Sequence, residues 1–283
     1  MDAYSRRVPD GLSRGRSLHG RVFHIVVILM VTMVPGISLY APGVGAETPS
    51  PDAGDTPVLA FTAWRLASLQ TAGNDATVPD DPAAFSFVFG EGDAVTVTTD
   101  CATATGTIAL KAGGAVVPNV VVDAGSTCER RSLPERFVNL LNLSTSWAFD
   151  DEGGLVLTLM DGGEIRLAQE LTGTTWRWTG FQGGDGVTMH PEADAPTTMV
   201  FGADGIVTLM VPCGTVTAPY TLDGAHGLLI DTSALPENND ACMHGARLTL
   251  GAMRTYVFRD GKLFISLMAD GGIHAFVASA PAG

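Results

Sequence analysis

Basic residues are scarce in this chain of 283 residues, which has 16 lysines and arginines against 30 acidic residues. Residues 1–21 hold five of the arginines and two aspartates, so the rest of the chain has 11 basic and 28 acidic side chains, a charge of −17. Such a surface offers no basic patch to nucleic acid or to anionic lipid headgroups. We therefore expect no nucleic acid partner and interpret the negative charge as a source of solubility.

The chain also lacks the short motifs that commonly carry catalysis. It has no Gly-Xaa-Ser-Xaa-Gly elbow, no His-Glu-Xaa-Xaa-His pair and no phosphate-binding glycine loop. Its acidic clusters, such as 150–152, Asp161 and Asp260, adjoin glycines, where turn chemistry accounts for aspartate. We expect neither an enzyme nor a cofactor, and a hydrolase with paired carboxylates acting outside the cytoplasm is kept as an alternative.

The first 46 residues have the form of an export signal. Arginines precede a long apolar run at 22–40, and Val44 and Ala46 occupy the −3 and −1 positions of a signal-peptidase site. The apolar run is almost long enough to span a bilayer, so the alternative is an uncleaved segment that serves as an N-terminal membrane anchor. In both cases residues 47–283 are exported, to the periplasm, to the extracellular space or to the outer face of the cytoplasmic membrane. Residues 47–58, which include three prolines, are interpreted as a linker.

The remainder is an internal duplication. Residues 59–70 align with residues 171–182 at an offset of 112, and the same offset relates Cys101 to Cys213. Towards the end of each copy the offset falls to 108. The repeat predicts two tandem domains, at residues 59–169 and 170–279.

Within each copy the sequence pattern is mostly that of strands. Period-two alternation around glycine turns predicts four hairpins. They are 85–89 with 94–98, 155–160 with 164–167, 198–201 with 206–210, and 263–268 with 273–277. A helix is predicted at 133–143, after the capping residue Ser132, and a poorer one at 245–253. The expected fold class is mainly β (α+β), with two tandem curled antiparallel sheets or open barrels, each carrying one short helix.

Several features together resemble the META (HslJ-like) domain. They are the opening Thr-Xaa-Trp-Arg strands with Trp64 and Trp176, the small-residue segment around Cys101, the second cysteine Cys128 followed by a helix, and the closing strands around Asp-Gly-Gly. The resemblance covers nearly all of the chain after the linker. It implies an envelope-associated or stress-linked protein, and no enzymatic mechanism accompanies it.

The four cysteines allow three pairings. The duplication favours Cys101–Cys128 and Cys213–Cys242, which place one bond in each copy, and export would favour their persistence. Each bond closes a loop of about thirty residues and should stabilise the fold by roughly 3–4 kcal/mol. Free thiols are the alternative.

Two further sets of residues are candidates for binding. Trp176 and Trp178 share one face of a strand and form either an aromatic ligand platform or part of the core. Of the two copies only the second contains histidines, and the weak alternative of a copper or zinc site would use His190, His226, Cys242 and His244. The favoured function is a non-catalytic binding protein for an apolar small molecule or a protein partner, with contact to a membrane only through an uncleaved N-terminal segment.

Overall fold

The computed structural model describes residues 59–192, 195–235 and 240–281. The predicted export segment (1–46) and linker (47–58) lie outside these ranges. The described residues form two β modules in tandem, each with its own hydrophobic core. This arrangement confirms the predicted fold class.

The first module is a curled sheet of eight antiparallel strands with one helix. Its elements are β1 (Ala63–Gln70), β2 (Ser86–Phe89), β3 (Ala94–Thr98), β4 (Thr103–Leu110), β5 (Val116–Val122), α1 (Leu133–Leu141), β6 (Ser144–Phe149), β7 (Leu155–Leu159) and β8 (Glu164–Gln169). The strand order is β5-β4-β3-β2-β1-β8-β7-β6. The two edges meet where the Trp147 backbone N–H donates to the Gly114 carbonyl at 2.8 Å, which gives the sheet the shape of a barrel.

The second module repeats this plan and closes its ring completely. Its elements are β9 (Thr175–Gln182), β10 (Thr188–Met189), β11 (Thr198–Phe201), β12 (Ile206–Val211), β13 (Gly214–Asp223), β14 (Gly227–Ile230), α2 (Ala241–Ala252), β15 (Met253–Arg259), β16 (Lys262–Leu267) and β17 (Ile273–Ser279). Strand β9 pairs with β11 on one side and with β17 on the other. The short strand β10 extends the hairpin after β9 and has no counterpart among the strands of the first module.

Alternating side chains explain why these segments form half-buried strands. In β3, Val95 and Val97 point into the core, whereas Thr96 and Thr98 are exposed. The hairpin from β7 to β8 turns at Asp161-Gly-Gly, where Gly162 adopts φ 84° and the Gly163 N–H donates to the Asp161 carboxylate at 2.9 Å. The Asp161 carboxylate also accepts a hydrogen bond from the Ala72 N–H. The hydrogen bonds from Gly163 and Ala72 lower the pKa of the Asp161 carboxyl. All four predicted hairpins are present.

The two helices begin at side-chain caps. Ser132 accepts from the Glu135 N–H and Pro134 lies in the first turn, as expected for α1. Helix α2 begins at Ala241, four residues before the predicted start at Gly245. It has twelve residues, whereas α1 has nine. Asp240, which accepts from the Met243 N–H at 3.0 Å, starts the helix early and places Cys242 in its first turn. Neither described helix has the length and apolarity needed to cross a bilayer.

The two modules are in direct contact within one compact unit. The Ala63 N–H donates to the Thr174 hydroxyl at 3.1 Å, and the Gln169 amide donates to the Gly261 carbonyl at 3.3 Å. Gly153 of the first module lies so close to the Phe258 carbonyl that a Cβ atom there would be 2.3 Å from its oxygen.

Candidate functional site

The strand registers show which residues of the two modules correspond. In the first module Trp64 pairs with Gln169 across β1 and β8, and in the second Trp176 pairs with Ala278 across β9 and β17. Along the strands from these pairs, four positions on the inner face have aliphatic side chains in the first module and aromatic or imidazole side chains in the second. Leu66, Leu69, Ile165 and Leu167 in the first module correspond to Trp178, Phe181, His274 and Phe276 in the second.

The helices correspond in the same way. Phe137 in α1 lies seven residues before Ser144, the first residue of β6, and Ala246 in α2 lies seven residues before Met253, the first residue of β15 (144 − 137 and 253 − 246). Both of these strands begin with the same irregular pairing to the next strand. Phe137 and Ala246 therefore occupy equivalent buried positions in their helices.

In the first module this place is filled by two phenyl rings. Phe85 and Phe137 meet edge to face with ring centroids 6.0 Å apart, and both are buried. The register of β11 against β9 makes Thr197 the counterpart of Phe85, since Met199 pairs with Trp176 as Phe87 pairs with Trp64. The second module thus has threonine and alanine where the first has two phenylalanines.

A cavity of about 200 Å³ lies at this place in the second module. Its lining is mostly apolar and comes from the barrel wall, from β10 and from α2. The residues are Trp178, Met189, Thr197, Met199, Leu209, Val211, Cys242, Ala246, Thr249, Met253, His274 and Phe276. Met189 is 47% exposed and Cys242 is also exposed, so the cavity opens to solvent beside them.

One residue that lines this cavity, Trp178, has a buried donor with no acceptor from the described part of the chain. The Nε1 atom of Trp178 is buried without a hydrogen-bond partner. By contrast, Trp64 Nε1 donates to the Thr62 hydroxyl at 2.7 Å and Trp176 Nε1 donates to the Leu171 carbonyl at 3.0 Å. Trp147 Nε1 donates to the Lys111 carbonyl at 3.1 Å. An unpaired buried N–H costs about 1–3 kcal/mol, so Trp178 is unusual among these tryptophans.

The titratable side chain in this lining is His274, which is only 9% exposed. Its ring contacts Phe181, Trp178 and Phe276, with centroid distances of 4.7, 6.1 and 6.3 Å. Burial among these rings lowers the pKa of His274 from 6.5 to about 4, so the imidazole is neutral near pH 7. The cavity is therefore lined without a formal charge, as far as its described residues show.

The predicted disulfides are the ones that the structure forms. Cys101 is bonded to Cys128 and Cys213 to Cys242, with Cα atoms 4.8 and 6.3 Å apart. Of the two predicted aromatic residues, Trp178 lines the cavity, whereas Trp176 lies fully buried in the core and stacks at a tilt on Phe258.

The residues of the alternative metal site lie on different elements. His244 is exposed on α2, His226 contacts Tyr256 in the turn before β14, and His190 lines a groove on the outer face of the module. Across the described ranges, the one group of three potential ligand side chains is Cys213, Asp240 and Cys242, and its two sulfur atoms are joined in the disulfide. The structure does not bring the three histidines together.

Sequence reasoning did not single out His274, although one signal pointed to it. In the segment 273–277 the apolar positions of a strand alternate, and His274 occupies a core position that Ile165 fills in the first copy. The sequence offset between the copies is no longer 112 in this part of the chain, so the correspondence of His274 with Ile165 is not evident from the repeat.

Comparisons with known proteins give weak similarities. No protein-family model matches the chain, and no curated protein matches it in sequence. The NMR structure of a protein from Burkholderia xenovorans is 18% identical, with a TM-score of 0.33, over 45% of this chain and 96% of that one. The crystal structure of a DUF4847 family protein from Bacteroides vulgatus is 17% identical, with a TM-score of 0.29, over 38% and 94%. A protein of unknown function from the DUF3598 family of Nostoc punctiforme is 10% identical, with a TM-score of 0.18, over 79% and 98%.

Proposed function

We propose that the protein is an exported, non-catalytic, META-like binding protein whose second module holds a small apolar ligand. The observation that carries the proposal is the cavity that lies where Thr197 and Ala246 replace Phe85 and Phe137. Two disulfides fit an oxidising environment and support export. The first module, with its core filled, would then serve as a structural partner for the second.

The cavity volume limits the size of the ligand. An engineered cavity of about 150 Å³ lined by aliphatic and aromatic side chains is large enough to bind benzene. A cavity of about 200 Å³ therefore suits one six-membered ring with a small substituent. Burial of such a ring by Met199, Leu209 and Phe276 supplies the binding free energy, because it removes apolar surface from water.

Toluene is a suitable first probe, because it tests the cavity without testing any hydrogen bond. Labelled methionine methyl groups allow NMR detection, since Met189, Met199 and Met253 all line the cavity. We expect toluene to shift these three methyl resonances in a saturable way. The variant Ala246→Phe, which places a ring where Phe137 lies in the first module, should weaken toluene binding at least about tenfold.

A smaller substitution and a surface control complete the experiment. Ala246→Leu fills less of the cavity and should give an intermediate loss of affinity. It provides the test if the phenylalanine variant fails to fold. Leu248→Phe adds a ring to the exposed face of the same helix and should leave binding unchanged. The proposal is wrong if toluene shifts none of the three methyl resonances, or if Ala246→Phe and Ala246→Leu bind it as well as the wild type does.

A further inference from the structure

The outer face of the second module has a groove of about 490 Å³, and none of the described residues lines both this groove and the inner cavity. Its floor is a row of residues from four neighbouring strands, in which each residue pairs with the next: Val257, Phe264, Ala275 and Gly180. Residues directly opposite one another in antiparallel strands lie on the same face of the sheet. Ile273, which is 44% exposed, also lines the groove. The floor is therefore mostly apolar, and the volume lies in the range of small-molecule sites.

One end of this row is covered by β10 and by His190, which follows it. A Cβ atom at Gly180 would lie 3.2 Å from the Met189 carbonyl oxygen and 3.6 Å from His190 Nδ1, so this segment passes directly over the glycine. Three strand spacings of about 4.8 Å separate β9 from β15, which makes the row roughly 14 Å long. The groove thus runs across the strands and is bounded at its β9 end.

The equivalent row of the first module is covered by ion pairs. By strand register it consists of Ala148, Val156, Arg166 and Ser68. The Arg166 guanidinium lies 2.7 Å from the Glu164 carboxylate and 3.7 Å from the Asp150 carboxylate. These three charged side chains form a network over the outer face of that module.

All three members of this network are replaced in the second module. The residues at the places of Arg166, Glu164 and Asp150 are Ala275, Ile273 and Arg259, respectively. Two apolar residues therefore take the places of an ion pair, and an arginine takes the place of an aspartate. The same changes uncover the apolar floor and leave a cation beside it.

The cation lies at the opposite end of the groove from His190. Arg259 is exposed and pairs across the β15–β16 hairpin with Lys262, which is also exposed. Over the described ranges neither cation forms an ion pair, and neither does Asp260 in the turn between them. Two like charges directly opposite one another are unfavourable, and an exposed, unpaired arginine is free to turn its guanidinium to an anion in the groove. None of the described residues that line the groove is acidic.

We propose that this outer groove binds a carboxylate with a medium-length alkyl chain. The carboxylate pairs with the Arg259 guanidinium, which matches its two oxygens. The chain lies across Phe264 and Ala275 towards His190, because the row is long and only its β15 end is charged. Burial of the chain removes apolar surface of ligand and groove from water. This site is separate from the inner cavity, so it stands or falls independently of the proposed function.

Three probes separate the charge from the chain. Octanoate has both, 1-octanol has the chain without the charge, and acetate has the charge without the chain. At pH 7.5 and low salt we expect octanoate to shift the labelled methyl resonances of Ile273 and Val257 in a saturable way. Its affinity should be about fivefold higher than that of octanol, as for an exposed ion pair. Acetate should bind at least about tenfold more weakly than octanoate, because it buries no chain.

Substitution of the cation supplies the second arm. Arg259→Gln should bring the ratio of octanoate to octanol affinity to about one, and Arg259→Asp, which reproduces Asp150 of the first module, should bring it below one. Arg177 is an exposed arginine of β9 that is absent from the groove lining. The matched control Arg177→Gln should therefore leave the ratio unchanged. The Met199 methyl resonance, followed in the same titrations, reports entry into the inner cavity.

The results that would overturn the proposal are specific. Equal affinity of the wild type for octanoate and octanol would show that the charge is not recognised, and equal affinity for octanoate and acetate would show that the groove does not bury the chain. Retention of the octanoate preference in Arg259→Gln, or its loss to the same extent in Arg177→Gln, would exclude Arg259 as the partner of the carboxylate. If octanoate shifts Met199 but neither Ile273 nor Val257, the outer site is refuted, while the inner cavity is upheld as a binding site.

Discussion

At the scale of single residues, the two modules differ most where an aliphatic side chain is replaced by an aromatic or a polar one. His274 takes the position of Ile165, and Trp178 takes the position of Leu66. Both substitutions introduce polar atoms into a place that the first module keeps entirely apolar. A buried polar group costs free energy unless it is paired, so these substitutions distinguish the second module, to which we assign the proposed binding role.

His274 gives the fold a pH dependence of known sign. Its pKa is lowered from 6.5 to about 4, so the folded state favours the neutral ring. Above pH 6.5 both states are neutral, and between pH 6.5 and 4 the unfolded state takes up a proton that the folded state does not. Stability is therefore lost as the pH falls through this window, by about 3 kcal/mol in all.

The variant His274→Ile, which restores the residue type of the first module, should remove this loss. We expect the difference in free energy of unfolding between variant and wild type to shift by about 2–3 kcal/mol in favour of the variant from pH 7.5 to pH 4.5. Urea denaturation at several pH values measures it, with His274→Phe as a second variant of different packing. Parallel pH profiles for wild type and both variants would contradict the assignment.

At the scale of elements, the two helices are held by similar disulfides in different ways. Cys128 precedes α1, whereas Cys242 lies inside the first turn of α2 and lines the cavity. Helix α1 buries Phe137, Val138 and Leu141, but α2 buries only Ala246 and Leu250. With fewer large apolar residues against the barrel, the start of α2 depends more on its disulfide to keep its position beside the cavity.

Removal of each disulfide should therefore have one common effect and one specific effect. The double variants Cys101→Ser/Cys128→Ser and Cys213→Ser/Cys242→Ser should each lower the free energy of unfolding by about 3 kcal/mol, since their loops are of similar length. Only the second variant should also weaken toluene binding, because it releases the start of α2 at the cavity mouth. Urea denaturation and methyl NMR measure the two effects, and equal toluene affinity in both variants would refute the role of the second bond.

At the scale of the whole molecule, the modules are joined by close backbone contact as well as by hydrogen bonds. Gly153 has φ 82°, and a Cβ atom there would lie 2.3 Å from the Phe258 carbonyl oxygen of the other module. Gly113 has φ 83° but open space around its Cβ position. These two glycines separate backbone strain from contact between the modules.

The variants Gly153→Ala and Gly113→Ala test that contact. Both should lose about 1 kcal/mol from the positive φ angle. Gly153→Ala should lose a further 1–3 kcal/mol, roughly, because the methyl group pushes the modules apart. Thermal unfolding followed by circular dichroism measures both, and equal melting temperatures for the two variants would show that the modules do not press together at this point.

Much of this architecture could be predicted from local patterns in the chain. The period-two alternation around Asp-Gly and Gly-Xaa-Asp-Gly turns identifies the hairpins, because side chains alternate faces in any strand. The constant offset between the copies identifies two modules and selects the disulfide pairing. Helix α2 was placed too late because the capping role of Asp240 is a property of its backbone geometry, which the pattern of apolar residues does not reveal.

The cavity, and with it the candidate site, was decided by the tertiary structure alone. Its volume depends on the sum of side chains from β9, β10, β11, β12, α2, β15 and β17, which are distant in sequence. Threonine at 197 and alanine at 246 are ordinary residues until the fold places them where two phenylalanines pack in the first module. The sequence by itself determined the duplicated strands and their bonds, since these follow from short-range periodicity and from comparison of the copies. Only three-dimensional packing determined that the second module has a cavity where two phenylalanines pack in the first, because the space inside a barrel is shared among all the side chains that enter it.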